Sequence, residues 1–164
     1  MTSVNGRQLL DAVLDAWNRN NLALLNLLRA LPADGLNARA MAGSPSVAEM
    51  FTHIHHERMV SIQENVPESA VVVPAQEWVN EQDVERIAAM LLDSAVRVRE
   101  AVVARVLACR PLDKDFAHPI QLIQFLIFHE GYHHGQIKLA LKAAGCAISD
   151  AAAGPLTWQV WRAR

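Results

Sequence analysis

Aromatic residues are scarce in this chain of 164 residues: four Phe, four Trp and one Tyr, 5% in all. The strands of a β-sandwich favour aromatic and β-branched side chains, so this scarcity, beside an abundance of Ala and Leu, argues for helix packed on helix. An excess of one charge is also missing. Fifteen Lys and Arg stand against seventeen Asp and Glu, for a net charge of -2 with no long run of either sign. That excludes the basic footprint of a nucleic-acid binder. Only two cysteines are present, Cys109 and Cys146, with no CxxC spacing. Both fall near the ends of apolar helical patterns and read as reduced, partly buried thiols rather than a disulfide framework. No apolar run approaches the ~20 residues that span a bilayer. Acids interrupt the apolar residues of MTSVNGRQLLDAVLDAW, which reads against a signal peptide. A cytoplasmic protein is expected, with no membrane and no nucleic-acid partner. The length suits a single domain, residues 1–164, able to bury about two-thirds of its unfolded surface without staples.

What is present is helical periodicity. Leu9, Leu10, Val13, Leu14, Trp17, Leu24, Leu27, Leu28 and Leu31 recur at three- and four-residue steps, predicting a first helix over 4–31 that Pro32 stops. Ser46-Val47-Ala48-Glu49 fits a capping box that starts a second helix, whose apolar face runs through Met50, Phe51 and Ile54 to Ile62. Pro67 and Pro74 bracket a non-helical stretch over 68–79. A third helix is expected from 80 or 81 to 109, with Val84, Ile87, Ala88, Leu91, Leu92, Ala95, Val98, Val102 and Leu107 on its buried side. A fourth begins at Pro119, where the missing amide proton costs nothing, and runs through Leu122, Phe125, Leu126, His129, His133, Ile137 and Leu141 to a cap at Gly145. The tail, with Trp158 and Trp161, reads as one more short helix. The stretch between helices two and three, roughly 40 Å if extended, is long enough to cross the bundle end to end. Such a crossing makes helices two and three parallel, giving an all-α four-helix bundle with up-down-down-up order.

The histidines carry the chemistry. Six of seven fall in two groups, His53, His55 and His56 on helix two and His129, His133 and His134 on helix four, while His118 sits at the N-cap before Pro119. His129 and His133 are four apart and stack on one face, the face shared by Leu122, Phe125 and Leu126. Imidazoles turned into an apolar interior must be neutral and must find partners for their nitrogens. A lone inward histidine is more often a hydrogen-bonded core residue than a ligand. An i, i+4 pair with a third histidine on the inner side of another helix, His53, instead suits a divalent metal, and three imidazoles leave positions open for water or substrate. His55, His56 and His134 read as solvated or rim-lining, with His56 the best substitute for His53. Glu57, four after His53, and Gln136, one turn past His133, are the candidates to hold a ligand imidazole from behind or to line the pocket.

Residues 129–133 also spell HExxH, the zinc-peptidase motif in which the glutamate is the general base. The metzincin extension would need Gly and His where Gln136 and Leu139 stand, and Asp150 is the only acid after Glu130 that could serve as a further ligand. No strand pattern offers an edge to hold a peptide. Glu130 therefore reads as a surface residue or one that supports a ligand histidine, not as a base.

The segment Ser46-Val47-Ala48-Glu49-Met50-Phe51-Thr52-His53-Ile54, followed by His129-Glu130-Gly131-Tyr132-His133-His134-Gly135-Gln136-Ile137, resembles the DinB/YfiT-like superfamily. The likeness extends over about residues 9–141 and departs from the family at Ser44-Pro45, where relatives commonly carry Trp, and at His134, where they carry a basic residue. It implies a four-helix up-down-down-up bundle holding a metal through His53, His129 and His133, often as a homodimer. It also implies thiol S-transferase-like chemistry, as in characterised relatives.

Two classes of function follow. One is a metal-dependent enzyme that activates a thiol or water toward a small-molecule substrate, with Zn, Ni, Fe or Cu all suited to three imidazoles and a low-molecular-weight thiol as co-substrate. The other is a non-catalytic metal-binding stress or regulatory module. A third reading, a bundle with unmetallated histidines, is separated from both by metal analysis.

Overall fold

The computed structural model describes residues 5–162. Helix α1, Gly6–Arg29, starts at a capping box in which Asn5 and Gln8 satisfy each other's backbone amides. Residue 4, the expected start, lies outside the described residues. Helix α2, Val47–Asn65, begins as its sequence signature requires: Glu49 N donates to Ser46 Oγ at 3.2 Å, and Ser46 N donates to Glu49 Oε2 at 2.6 Å. Helix α3 spans Val84–Leu107, starting later and ending sooner than periodicity suggests. Asp83 sets the start by accepting from the amides of Glu85 and Arg86. Cys109, with φ +51°, already lies beyond the helix end and is exposed, not partly buried as its sequence context suggests. Helix α4, Pro119–Ala143, is capped by His118 and closes before Gly145, whose φ of +76° is the left-handed turn that glycine tolerates. The tail forms two short helices instead of one, α5 (Asp150–Leu156) and α6 (Trp158–Arg162). Asn26 and Arg19 of α1 hold them by donating to the carbonyls of Leu156 and Val160.

Helices α1 and α2 each pack against α3 and α4. The core divides into two apolar clusters. One holds Leu24, Leu28, Phe51, Ile54, Leu91 and Ile137. The other holds Leu14, Trp17, Ile62, Val98, Val102, Leu122 and Leu126. Leu9, Leu92 and Leu107, expected on buried faces, are exposed, so the inward stripes of α1 and α3 are narrower than apolar content alone indicates.

A polar layer lies between the clusters, and Arg58 of α2 is its centre. Its side chain has no solvent exposure. The guanidinium donates to both oxygens of Glu130 on α4, at 2.7 and 2.8 Å. It also donates to Asn21 Oδ1 of α1 at 3.0 Å and to the Leu91 carbonyl of α3 at 2.8 Å, and it lies over the Trp17 ring. One cation thus ties all four long helices together. Glu130, which the sequence placed at the surface or beside the site, is fully buried and also accepts from Asn20. A charge at that depth is tolerable only because it is paired bidentately and hydrogen-bonded on its remaining lone pairs.

Candidate metal centre

His53 projects from α2 five residues before Arg58, and His129 and His133 flank Glu130 in the sequence of α4. Nε2 of His129 lies 3.1 Å from Nε2 of His53 and 3.1 Å from Nε2 of His133. One ligand atom from each of the three lies within 4.8 Å of the others. Ligands at 2.0–2.1 Å on a tetrahedral ion stand about 3.3 Å apart, so the spacing fits a first-row divalent cation.

Protons alone satisfy this cluster poorly. Nε2 of His129 has a single lone pair in the ring plane, yet it faces two other nitrogens. The Nδ1 atoms of His129 and His133 are buried without a hydrogen-bond partner. Burial, with the neighbouring histidines adding to it, lowers the pKa of His129 and of His133 to about 4. It also lowers that of His53, against an opposing pull from Glu77. All three rings are therefore neutral at pH 7, the form in which imidazole donates a lone pair to a metal. A cation at the common point would take one lone pair from each ring, so the residues present fit a bound metal.

Each imidazole has an aromatic neighbour. Trp78 stacks on His53 at 4.1 Å and 4°, Phe125 lies against His129 at 5.9 Å, and Tyr132 meets His133 edge-on at 5.3 Å. Phe125, expected in the core, is 36% exposed and forms a wall of this site. Trp78 comes from the connection between α2 and α3. Thr52 positions that segment, its hydroxyl accepting from the Val79 amide at 3.0 Å and sharing its one proton between the Val79 and Glu49 carbonyls, each at 3.0 Å. The same segment brings Glu77 to His53, with Oε1 2.8 Å from Nδ1, although the approach lies off the ideal line of a hydrogen bond.

The other expected residues are distributed as follows. Glu57 is half-buried; its carboxylate accepts from Ser61 Oγ at 3.2 Å, and burial raises its pKa. Gln136 lies near His133 and opposes the effect of burial on it, yet Nδ1 of His133 has no partner of good geometry, so Gln136 is a neighbour rather than an anchor. His55 is buried, not solvated: it faces α3 and engages the backbone of Met90. His56 is half-buried. His134 is half-buried too and lines a cavity of about 240 Å³ with Trp158 and Trp161, on the α1 side of α4.

With Glu130 clamped by Arg58 and the described residues forming no strand beyond one isolated bridge between Arg39 and Ser46, the HExxH spelling lacks both its base and its peptide-holding edge. The family model of the DinB superfamily matches residues 16–137. The chain belongs to the DinB superfamily. The DinB match spans all three histidines and the Glu77-Trp78 segment. No curated protein and no solved structure shows significant similarity to the chain.

Sequence reasoning missed Arg58, Glu77 and Trp78. Arg58 was detectable, since it falls four residues after Ile54 and four before Ile62, on the apolar face of α2. Glu77 and Trp78 were not, because nothing in the periodicity of helices reports where a connecting segment lies.

Proposed function

We propose that this DinB protein binds one divalent metal, Zn, Ni or Fe, through Nε2 of His53, His129 and His133 and uses it to activate a thiol or water toward a small-molecule electrophile. The observation that carries the reading is the convergence of three neutral imidazole nitrogens from two helices on one point. A bound divalent ion supplies Lewis acidity, which lowers the pKa of a thiol or water that reaches it. The chain's own residues do the rest. Arg58 and Glu130, buried beside the ligands, hold α2 and α4 in the register that brings the rings together. Trp78, Phe125 and Tyr132 form an apolar rim that limits bulk water and favours an electrophile with an apolar body. The half-open setting of Trp78 and Phe125, 39% and 36% exposed, leaves an approach from solvent.

This reading includes the up-down-down-up helix order and a low-molecular-weight thiol as co-substrate. It also includes a cytoplasmic location, for which the described structure offers only that no helix is long and apolar enough to cross a membrane. A second copy would find an apolar strip on α4 in Phe128, Tyr132 and Leu139, all exposed, which supports a homodimer. The alternative is a metal-binding stress or regulatory module without turnover, which the same three histidines serve equally well.

Metal analysis of the purified protein, with thermal stabilisation by zinc or nickel, tests the centre. Absence of both overturns it. A transfer assay with a small thiol and an electrophile then separates the enzyme from the module: thiol consumption lost in His129→Ala supports the enzyme, and consumption unaffected by that change refutes it.

A further inference from the structure

We infer that Glu77 is the positioning carboxylate of the metal centre, fixing the His53 ring through Nδ1 so that Nε2 is presented to the ion. The inference rests on the metal-binding reading above and adds to it a residue from outside the two ligand-bearing helices.

Two contacts meet on the His53 ring, and a third fastens the segment that makes them. Glu77 Oε1 lies 2.8 Å from His53 Nδ1, the nitrogen opposite the one that faces His129. Trp78 lies flat on the same ring, with centroids 4.1 Å apart and planes 4° apart. The Thr52 hydroxyl, on the residue preceding His53, grips both the amide and the carbonyl of Val79. The short run 77–79 is thus fastened to α2 at the ligand itself, and its first two side chains restrain His53 at its rim and on its face.

An imidazole can carry its proton on either nitrogen. A carboxylate at Nδ1 draws the proton there, leaves the lone pair on Nε2 and makes that lone pair more basic. None of the three Nδ1 atoms has a hydrogen bond of good geometry, but among the described residues only His53 has a carboxylate at ion-pair distance. The restraint is therefore asymmetric: the ligand from α2 is oriented by the connection, whereas the two from α4 are oriented by their own helix and by Phe125 and Tyr132. Glu57 does not take the role: it makes no ion pair with His53, and its Oε1 accepts from Ser61 Oγ at 3.2 Å.

The test is metal affinity, measured by competition with a chromophoric chelator for Zn²⁺ and Ni²⁺, on the full chain and on Glu77→Gln, Glu77→Ala and Glu57→Gln. Loss of an oriented outer carboxylate weakens such sites by roughly 10- to 100-fold. That range is expected for Glu77→Ala, with partial recovery in Glu77→Gln, whose carbonyl can still accept from Nδ1, and with Glu57→Gln within threefold of the parent. The d–d absorption of the Co²⁺-loaded protein should shift in both Glu77 variants, a change that a merely structural role would not produce. Unfolding midpoints of the metal-free forms show whether each variant is folded. Folded Glu77→Ala that binds within twofold of the parent, with an unshifted Co²⁺ spectrum, overturns the inference. A parent that binds no metal overturns the metal centre instead, so the two failures are distinct.

Discussion

Replacing Glu130 by Gln keeps the shape of the side chain and removes its charge, leaving Arg58 buried with no counter-ion. Both side chains have zero solvent exposure, and the pair is bidentate. Breaking one partner of such a pair costs about 3–5 kcal/mol, because the remaining charge must stay desolvated or drag water into the core. For a domain of this length each kcal/mol shifts the melting midpoint by about 2–4 °C, so Glu130→Gln should melt roughly 6–20 °C below the parent. The fall is read by circular dichroism during heating and by the urea midpoint, with the slope of the urea transition unchanged. A double variant, Arg58→Met with Glu130→Leu, removes both charges together and should recover most of the loss, since an apolar replacement of a whole buried pair is often neutral or better. The folded fraction of Glu130→Gln should still take up metal, though more weakly than the parent, because the carboxylate sets the α2–α4 register and is not itself a ligand. If Glu130→Gln left stability within 0.5 kcal/mol of the parent (about the error of such measurements) while abolishing metal-dependent turnover, the residue would be a general base after all and the argument from burial would fail.

Other outcomes follow from the same geometry. In chelator-treated protein, His129 and His133 titrate near 4 when folded and near 6.5 when unfolded, so the unfolded chain binds more protons between those values and stability falls as pH drops from about 6.5 toward 4. Urea midpoints at pH 7.5 and 5.0 measure it, and a midpoint independent of pH would contradict the burial of both rings. His53→Ala should abolish metal uptake, whereas His56→Ala should preserve it; loss of uptake in His56→Ala with retention in His53→Ala would reverse the ligand assignment. Ser46→Ala removes the cap of α2 and should cost about 1 kcal/mol, a drop of a few degrees in melting midpoint. Light scattering should show a dimer that Phe128→Glu dissociates, and a monomeric parent would remove the α4 strip as an interface.

The parts that sequence made legible are those with a local cause. Ser46 and Glu49, His118 before Pro119, and Gly145 mark helix ends because capping is settled within one turn of backbone. The spacing of His129 and His133 placed them on one face of α4, and His53 on α2 meets them. The face itself was read slightly askew. Leu122, Leu126 and Ile137 are fully buried, as is Glu130, and His133 is buried, whereas Phe125 and His129 are partly open, so His129 occupies the edge of the inward stripe rather than its middle. Apolar periodicity locates a stripe about 100° wide and cannot by itself choose the edge from the centre. A glutamate next to a histidine looks like the outward residue until its partner is known, and that partner, Arg58, is 72 positions away.

That separation also explains why the centre and the core pair belong to one device. Histidine and glutamate are neighbours on α4, and His53 and Arg58 are five apart on α2, so both pairs of contacts cross the same interface between the same two helices. Sliding α2 by one residue, about 1.5 Å along its axis, would break the Arg58–Glu130 bonds at 2.7 and 2.8 Å and pull His53 off a 3.1 Å approach to His129. The apolar clusters above and below tolerate such a shift better, because Leu, Ile and Ala contacts are non-directional. Directional bonds to a buried guanidinium fix the register of the interface, and the ligand geometry inherits that definition. Placing the charged layer at the height of the histidines, instead of at either end of the bundle, is therefore the feature that lets two helices present three nitrogens to one point.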